Sequence, residues 1–160
     1  MEDPVEHLAR LYRETAPALL AYFRAQPALA GSAEDLLQDT FVRAIRSSER
    51  MGGAVTPRAY LFGIARHVGI DAVRAARPLE PLTIEPAAPS AAAEDERLEP
   101  MRAAITTLPA TQREALVLKL HHDLSYAEIA QVLGIPVGTV RSRLHHAVGQ
   151  LRAALNPMSP

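Results

Sequence analysis

The last fifty residues carry a short helix, a tight turn and a second helix, spanning Ser125 to Leu155. Ser125 and Glu128 have the spacing of a capping box, in which each side chain bonds to the other residue's backbone N–H. Gly134 stands where the end of a helix favours a left-handed residue, and Pro136 helps to set the entry of the next helix. The pattern predicts a helix-turn-helix.

The second of these helices has an apolar side and a basic side. Arg141, Ser142 and His145 lie outside the apolar stripe, Arg152 lies further round, and no acid occurs from Gly138 to Leu155. A basic outer face on such a helix suits a DNA major groove, although a helical scaffold with solvated arginines remains an alternative. The apolar stripe comprises Val140, Leu144, Ala147, Val148, Leu151 and Leu155.

Composition narrows the class of protein. A chain of 160 residues is long enough for one domain or two small ones. The absence of cysteine excludes disulfides and thiolate zinc sites and is compatible with the cytoplasm. No stretch reaches the roughly 18 to 20 apolar residues of a membrane span, and the acidic N-terminus does not resemble a secretory signal. We therefore expect a cytoplasmic protein without membrane insertion.

Charge is segregated along the chain although the net charge is only −1. Basic residues dominate from Arg58 to Arg77 and again from Gly138 to Leu155. Each of these two segments can therefore attract phosphate. Residues 78–100 are rich in proline, alanine and acids, which predicts an extended linker. This linker would separate an N-terminal domain, residues 1–77, from a C-terminal domain, residues 101–156.

The N-terminal domain is predicted to be three helices. The first runs from about Pro4 to Ala25, and Pro17 inside it would kink or divide it. Ser32 is predicted to cap the second, and a polar, glycine-containing loop from Ser47 to Val55 follows it. Thr56-Pro57 begins the third. The predicted inward residues are Val5, Leu8, Tyr12, Leu19 and Phe23 in the first helix, Leu37, Phe41, Ala44 and Ile45 in the second, and Leu61, Ile64, Ala65, Val68 and Ala72 in the third.

The C-terminal domain is predicted to begin with helices from about Glu99 to Thr107 and from about Thr111 to His121. The helix-turn-helix follows them. Since no segment alternates as a strand would, we predict an all-α fold of two small helical domains.

Two further surfaces are candidates for binding. In the third helix Arg66 and Arg77 lie nearly in line, with Arg74 at the edge of the same face, and Tyr60 is an aromatic residue near the start of the helix. An aromatic beside arginines can stack a base removed from a duplex. Burial of Tyr60 in the core is an equal alternative. The second helix has an acidic and polar outer face that can dock a basic protein surface, or that is ordinary surface charge. That face comprises Glu34, Asp35, Gln38, Asp39 and Arg43.

Residues for catalysis or metal binding are not evident. The adjacent pairs His121-His122 and His145-His146 point in different directions on a helix, and no carboxylate has the spacing of a zinc ligand. Gly52-Gly53 lacks the lysine and hydroxyl residue of a nucleotide loop, and no nucleophile stands with a base. We expect no catalytic residue, no metal and no cofactor.

With these pieces in order, the chain resembles a bacterial RNA polymerase sigma factor of the extracytoplasmic-function (ECF) group. The sequence AEDLLQDTFVRAIR resembles the segment that binds core polymerase, and PRAYLFGIARHVGIDAVRAAR resembles the segment of sigma region 2 that melts and reads the −10 element. Residues from Leu108 to Leu151 resemble sigma region 4, which reads the −35 element. The resemblance implies core RNA polymerase, promoter DNA and an anti-sigma factor as partners.

The resemblance also implies a role for individual residues. Core-polymerase binding falls to Asp35, Gln38, Asp39, Phe41 and Arg43. The loop from Ser47 to Arg58 matches the place where a flipped −10 base is captured. Reading of the −10 element falls to Arg58, Tyr60, Arg66, Asp71, Arg74 and Arg77. Reading of the −35 element falls to Thr139, Arg141, Ser142, Arg143, His145 and His146.

The chain departs from the family pattern at a few positions. Tryptophan is common where Tyr60 stands, asparagine where His67 stands, and more basic or aromatic residues where His145-His146 stands. The sequence also admits a one-component regulator with a helix-turn-helix, which would bind duplex DNA without polymerase. A third hypothesis is a protein that mimics a sigma factor to capture an anti-sigma factor.

Overall fold

The computed structural model describes residues 3–76 and 98–156, and every regular element in these two ranges is helical. The prediction of an all-α fold is therefore confirmed. Arg77 and the predicted linker up to Arg97 lie outside the described residues. The helices are α1 (Pro4–Arg24), α2 (Ala33–Arg46), α3 (Ser48–Met51), α4 (Pro57–Ala76), α5 (Glu99–Thr106), α6 (Ala110–Leu120), α7 (Tyr126–Leu133) and α8 (Val137–Leu155), with a 3₁₀ turn at Ala30–Ser32.

The described helices form two compact units, one built on α1 to α4 and the other on α5, α6, most of α7 and α8. In the first unit α1 packs on both α2 and α4, which also pack on each other. Leu19, Phe23, Leu61 and Phe62 are almost fully buried there. The Tyr22 ring meets the Phe62 ring edge-on at 5.8 Å between centroids, an arrangement that adds to the energy of burial.

Helix α1 is continuous through Pro17, so the predicted division of this helix does not occur. Pro17 lies on the exposed side, where the carbonyl left without a helical donor can bond to water. The helix is buried mainly from Leu11 onward, and the predicted inward positions Val5 and Tyr12 are 70% and 42% exposed. The first turns of α1 therefore contribute little to the core.

Helix α2 departs from prediction at both ends. Ser32 occupies the N-cap position, but its hydroxyl makes no capping bond, because the residue closes a 3₁₀ turn in which its N–H donates to the Leu29 carbonyl at 3.0 Å. Ile45, predicted to face inward, is 54% exposed. Thr40 is buried instead, and its hydroxyl donates to the Leu36 carbonyl at 2.7 Å, which satisfies the polar group.

The segment between α2 and α4 was predicted as a loop and contains the short helix α3. The segment ends where it was predicted to end, because Pro57 is the first residue of α4. The Thr56 hydroxyl accepts a hydrogen bond from the Ala59 N–H at 3.0 Å. That bond satisfies one of the N–H groups that a helix start leaves without a partner.

The second unit has its own core. Helix α8 packs on α5 and α6, and Leu118, Leu124, Ile129 and Val140 are almost fully buried. His122 is also buried, at 4% exposed, so its side chain belongs to the core of this unit.

The predicted helix-turn-helix is formed by α7 and α8. The Ser125 N–H donates to the Glu128 carboxylate at 2.9 Å, and the Glu128 N–H donates to the Ser125 hydroxyl at 3.1 Å, which confirms the capping box. Gly134 has φ +66°, as predicted for the residue after a helix. The Ile135 N–H bonds to the Ala130 carbonyl and the Gly134 N–H to the Gln131 carbonyl, so α7 ends in a Schellman motif.

The two serines at helix starts give a matched test of capping. Ser125→Ala removes an acceptor from the first turn of α7 and should lower the free energy of unfolding of the second unit by about 1 kcal/mol. Ser32→Ala removes a hydroxyl without a capping bond and should have a much smaller effect on the first unit. Native-state amide hydrogen exchange, which follows each unit separately, checks both values. Equal losses would contradict the assignment of the cap to Ser125 alone.

Candidate nucleic-acid interface

Helix α8 presents a basic face opposite its buried stripe. Val140, Leu144, Ala147 and Leu151 are buried, while the predicted stripe member Val148 is 44% exposed and Leu155 is half-buried. The predicted contact residues Arg141, Ser142, His145 and His146 are exposed, and Thr139 and Arg143 are half-buried. The partial burial of Arg143 agrees with its position at the edge of the stripe.

The charge on this face is available to a ligand. Helix α8 contains three arginines and no acid, and within the described ranges no carboxylate lies at ion-pair distance from Arg141. The helix N-terminus adds partial positive charge at the end where Thr139 and Arg141 stand. Such a surface attracts phosphate and can insert its first turns into a major groove.

The turn between α6 and α7 is held by Lys119. Its ammonium group donates to the Leu124 carbonyl at 3.2 Å and lies 5.4 Å from the centroid of the Tyr126 ring. Asp123 in the same turn adopts a left-handed backbone with φ 52°, a conformation that aspartate tolerates better than most residues. These contacts fix where α7 begins.

In the first unit, the residues predicted to read the −10 element lie in different environments on α4. Arg58 is half-buried, with its guanidinium 5.5 Å from the centroid of the buried Phe62 ring. Arg66 is also half-buried, Arg74 is exposed, and Arg77 lies outside the described residues. Asp71 is exposed and forms an ion pair with Arg43 of α2 at 2.9 Å.

Tyr60 is half-buried and fixed by hydrogen bonds, so its environment lies between the two alternatives that the sequence left open. Its hydroxyl donates to the Ser47 carbonyl at 2.9 Å and also contacts the Ser47 hydroxyl. The Ser47 hydroxyl in turn lies 2.8 Å from the Arg43 carbonyl, to which it donates. Tyr60 therefore ties the start of the segment from Ser47 to Val55 to helix α4.

A cavity of about 580 Å³ lies beside this segment. Its volume is within the range of small-ligand pockets. The start of α1 lines this cavity together with α3, a proximity that local sequence patterns do not reveal. The lining residues are Pro4, His7, Leu8, Ser48, Glu49, Met51, Gly52 and Pro57.

The residues predicted to meet polymerase divide into exposed and buried members. Asp35, Gln38 and Asp39 are exposed on α2. Phe41 is 7% exposed and packs edge-on against Tyr12 at 4.6 Å between centroids, so its ring belongs to the core of the unit. Arg43 is exposed and engaged with Asp71.

The described residues show neither a cluster of metal-binding side chains nor a membrane-crossing helix. They contain no group of three or more histidine, aspartate or glutamate side chains placed to hold a metal ion. No helix among them is long and apolar enough to cross a membrane.

Each of the two units matches a known protein family, and the whole chain is similar to known proteins. Residues 11–78 match the family described as Sigma-70 region 2, and residues 98–151 match Sigma-70, region 4. The chain is 40% identical over 134 residues to the ECF RNA polymerase sigma factor SigC of Mycobacterium tuberculosis, an alignment that covers 79% of this chain and 72% of SigC. It is 36% identical over 157 residues to SigL of the same organism, covering 92% and 88%.

Among solved structures, the chain resembles the sigma factor RpoE of Bartonella quintana in complex with the anti-sigma factor NepR. The TM-score is 0.69 at 25% identity, and the match covers 96% of this chain and 99% of RpoE. It also resembles CnrH in complex with the cytosolic domain of CnrY, with a TM-score of 0.64 at 27% identity, covering 95% and 89%.

Removing one hydroxyl tests the anchoring of the segment after α2. Tyr60→Phe keeps the ring and deletes the bond to Ser47, so it should lower the free energy of unfolding of the first unit by about 1 kcal/mol. Amide exchange from Ser47 to Val55 should accelerate. Tyr12→Phe is the control, because this ring is 42% exposed and packs on Phe41 through its face and edge rather than its hydroxyl. Unchanged exchange in Tyr60→Phe would show that the hydroxyl does not hold this segment.

Proposed function

The chain belongs to the ECF family of RNA polymerase sigma factors, which direct promoter-specific transcription initiation, and from that premise we propose that it recognises promoters through a −10 and a −35 element. The proposal rests chiefly on the exposed basic face of α8 in a well-formed helix-turn-helix. Its role is that of a specificity subunit, and the catalytic site for RNA synthesis belongs to core polymerase.

In the proposed −35 interface the first turns of α8 enter the major groove of duplex DNA. Arg141 is exposed and long enough for bidentate contact with guanine, and Ser142 contacts a base edge or a phosphate. The other residues proposed to contact the −35 element are Thr139, Arg143, His145 and His146. Arg141 is the exposed arginine of this set, so it is the main charged contact with phosphate or base.

In the proposed −10 interface the first unit holds a single strand separated from the duplex. Arg58, Arg66, Arg74 and Arg77 supply positive charge, while Tyr60 and Asp71 hold the surrounding elements through Ser47 and Arg43. The cavity beside α3 offers an apolar receptacle of suitable size for an unstacked base. The anchored segment from Ser47 to Val55 would form the wall of this receptacle.

In the proposed polymerase interface the acidic face of α2 meets a basic surface of core enzyme. Asp35, Gln38 and Asp39 are exposed and reach outward, whereas Phe41 supports the helix from within. Arg43 lies at the border between this face and α4.

The acidic, proline-rich sequence between the two described ranges would join the −10 and −35 modules as a tether. Its predicted end at residue 100 is too late, because Glu99 and Pro100 already belong to α5. Two modest interfaces linked in this way bind more tightly than either one alone.

An anti-sigma factor is the further partner that we propose, because the structural relatives RpoE and CnrH were solved in complexes with NepR and with the cytosolic domain of CnrY. Work with RNA polymerase would place the protein in the cytoplasm. Run-off transcription with core polymerase and a promoter library, without any inhibitor, tests the function directly. Failure to start RNA synthesis on every template would overturn it.

Arg141→Ala should weaken binding of the holoenzyme to promoters with the cognate −35 element by about 1–3 kcal/mol, because a bidentate base contact is lost. Binding to core polymerase should not change. Arg152→Ala is the matched control, since it removes the same charge from the same helix about 16 Å further along the axis. Electrophoretic mobility shift with the holoenzyme measures both variants. Equal losses would indicate general charge attraction rather than base reading at Arg141.

Charge reversal on α2 tests the polymerase interface. Asp35→Lys with Asp39→Lys should weaken association with core polymerase at least about tenfold, because like charges then face each other across the interface. Glu14→Lys reverses an exposed acid on α1 and should leave the affinity unchanged. A pull-down titration with purified core enzyme gives the dissociation constants. An unchanged affinity in the double variant would remove α2 from the interface.

A further inference from the structure

Two glycines lie on the exposed face of α8, at positions 138 and 149. With 100° between successive residues, Gly138, Ser142, His145 and Gly149 form one row along the helix. This row lies opposite the buried stripe centred on Val140 and Ala147. Both glycines therefore point away from the core, in the middle of the basic face.

The fold itself gives no reason for glycine at either position. Apart from its neighbours along α8, a Cβ atom built on Gly138 or on Gly149 would meet no heavy atom of the described residues within 4 Å. Neither residue adopts the left-handed backbone that requires glycine at Gly134. In a helix interior, where Gly149 lies, glycine costs about 0.5–1 kcal/mol relative to alanine. Gly138 lies in the first turn, with a backbone conformation that alanine also adopts. Alanine is therefore compatible with the fold at both sites and favoured at Gly149.

We propose that Gly138 is a specificity-determining residue of the −35 interface, where the bare backbone of the first turn of α8 allows the base edges to come close. The inference rests on the proposed −35 role of this helix. A helix with its side chains is about 10–12 Å in diameter and the major groove is about 12 Å wide, so little spare room exists. A methyl group at the centre of the leading face would hold the helix away from the groove floor.

The distance from the groove floor matters for the neighbouring side chains. Arg141 and Ser142 lie three and four residues after Gly138, one turn further along the same face. A bidentate arginine contact needs both donor–acceptor distances to be near 3 Å, so a small outward displacement breaks it. Gly138 thereby acts on specificity through the reach of Arg141 and Ser142.

Gly149 supplies the internal comparison. It lies on the same face but eleven residues later, which is about 16 Å along the helix axis. In helix-turn-helix proteins the N-terminal residues of the second helix contact the bases. A methyl group at Gly149 should therefore not affect DNA binding, although its effect on folding should be like that of a methyl group at Gly138.

The experiment compares Gly138→Ala, Gly149→Ala and Arg141→Ala with the unaltered full chain, each as holoenzyme, on a promoter selected by the unaltered holoenzyme and on the same promoter with a scrambled −35 element. Thermal unfolding of each free chain is measured alongside. We expect Gly138→Ala and Gly149→Ala to unfold at the same temperature as the unaltered chain or at a higher one. Gly138→Ala should lose about tenfold in affinity for the intact promoter only, and Gly149→Ala should lose none.

Three outcomes would overturn the inference: full affinity in Gly138→Ala while Arg141→Ala loses binding, equal losses in both glycine variants, or a loss that follows a lowered melting temperature. The first leaves the proposed −35 role intact and removes only Gly138. If the unaltered holoenzyme does not distinguish the intact from the scrambled element, the proposed −35 role itself fails.

Discussion

The burial of one apolar stripe on α8 is the constraint on which the rest of the second unit depends. Val140, Leu144, Ala147 and Leu151 are buried against α5 and α6, and full burial of a valine or leucine side chain contributes about 1.5–3 kcal/mol. An exposed ion pair contributes about 0–1 kcal/mol. The core, rather than any charge interaction, therefore decides how α8 is rotated. The basic face follows from that rotation, since every charged residue of the helix lies off the stripe.

In the first unit, polar contacts join the parts to which different roles are proposed. Arg43 of α2 pairs with Asp71 of α4, and its carbonyl accepts the Ser47 hydroxyl. The Ser47 carbonyl accepts a hydrogen bond from the hydroxyl of Tyr60, which is a residue of α4. A displacement of α2 would thus strain the contacts of both the segment proposed to capture a base and the helix proposed to read the −10 element. The exposed Arg43–Asp71 pair is weak by itself, so the bonds through Ser47 and Tyr60 carry most of this connection.

Most features fixed by a few neighbouring residues were predicted correctly, whereas features fixed by distant packing were not. The capping box at Ser125, the left-handed Gly134 and the Thr56-Pro57 helix start depend on local geometry, and all three were confirmed. The cap predicted at Ser32 is the exception, because a preceding 3₁₀ turn changes the backbone there. Ile45 and Val148 have the right spacing for burial, but both are exposed among the described residues. The spacing of apolar residues predicts which face of a helix is apolar, but it does not predict which element packs against that face. The approach of the chain start to α3 could not be predicted for the same reason.

The modest charge of each proposed DNA-binding surface has a consequence for promoter recognition. Helix α8 has three arginines, and one of them is half-buried. Few phosphates would be neutralised by this helix, so its own contribution to the salt dependence of DNA binding should be small. A surface of this size competes poorly by itself against nonspecific DNA. When both surfaces are attached to one polymerase, binding of one surface to its DNA element raises the effective concentration of the second surface at the second element. In the proposed arrangement, specificity would arise from two weak contacts held on one enzyme. A bare backbone at Gly138 would matter there, because shape rather than charge would supply much of the discrimination.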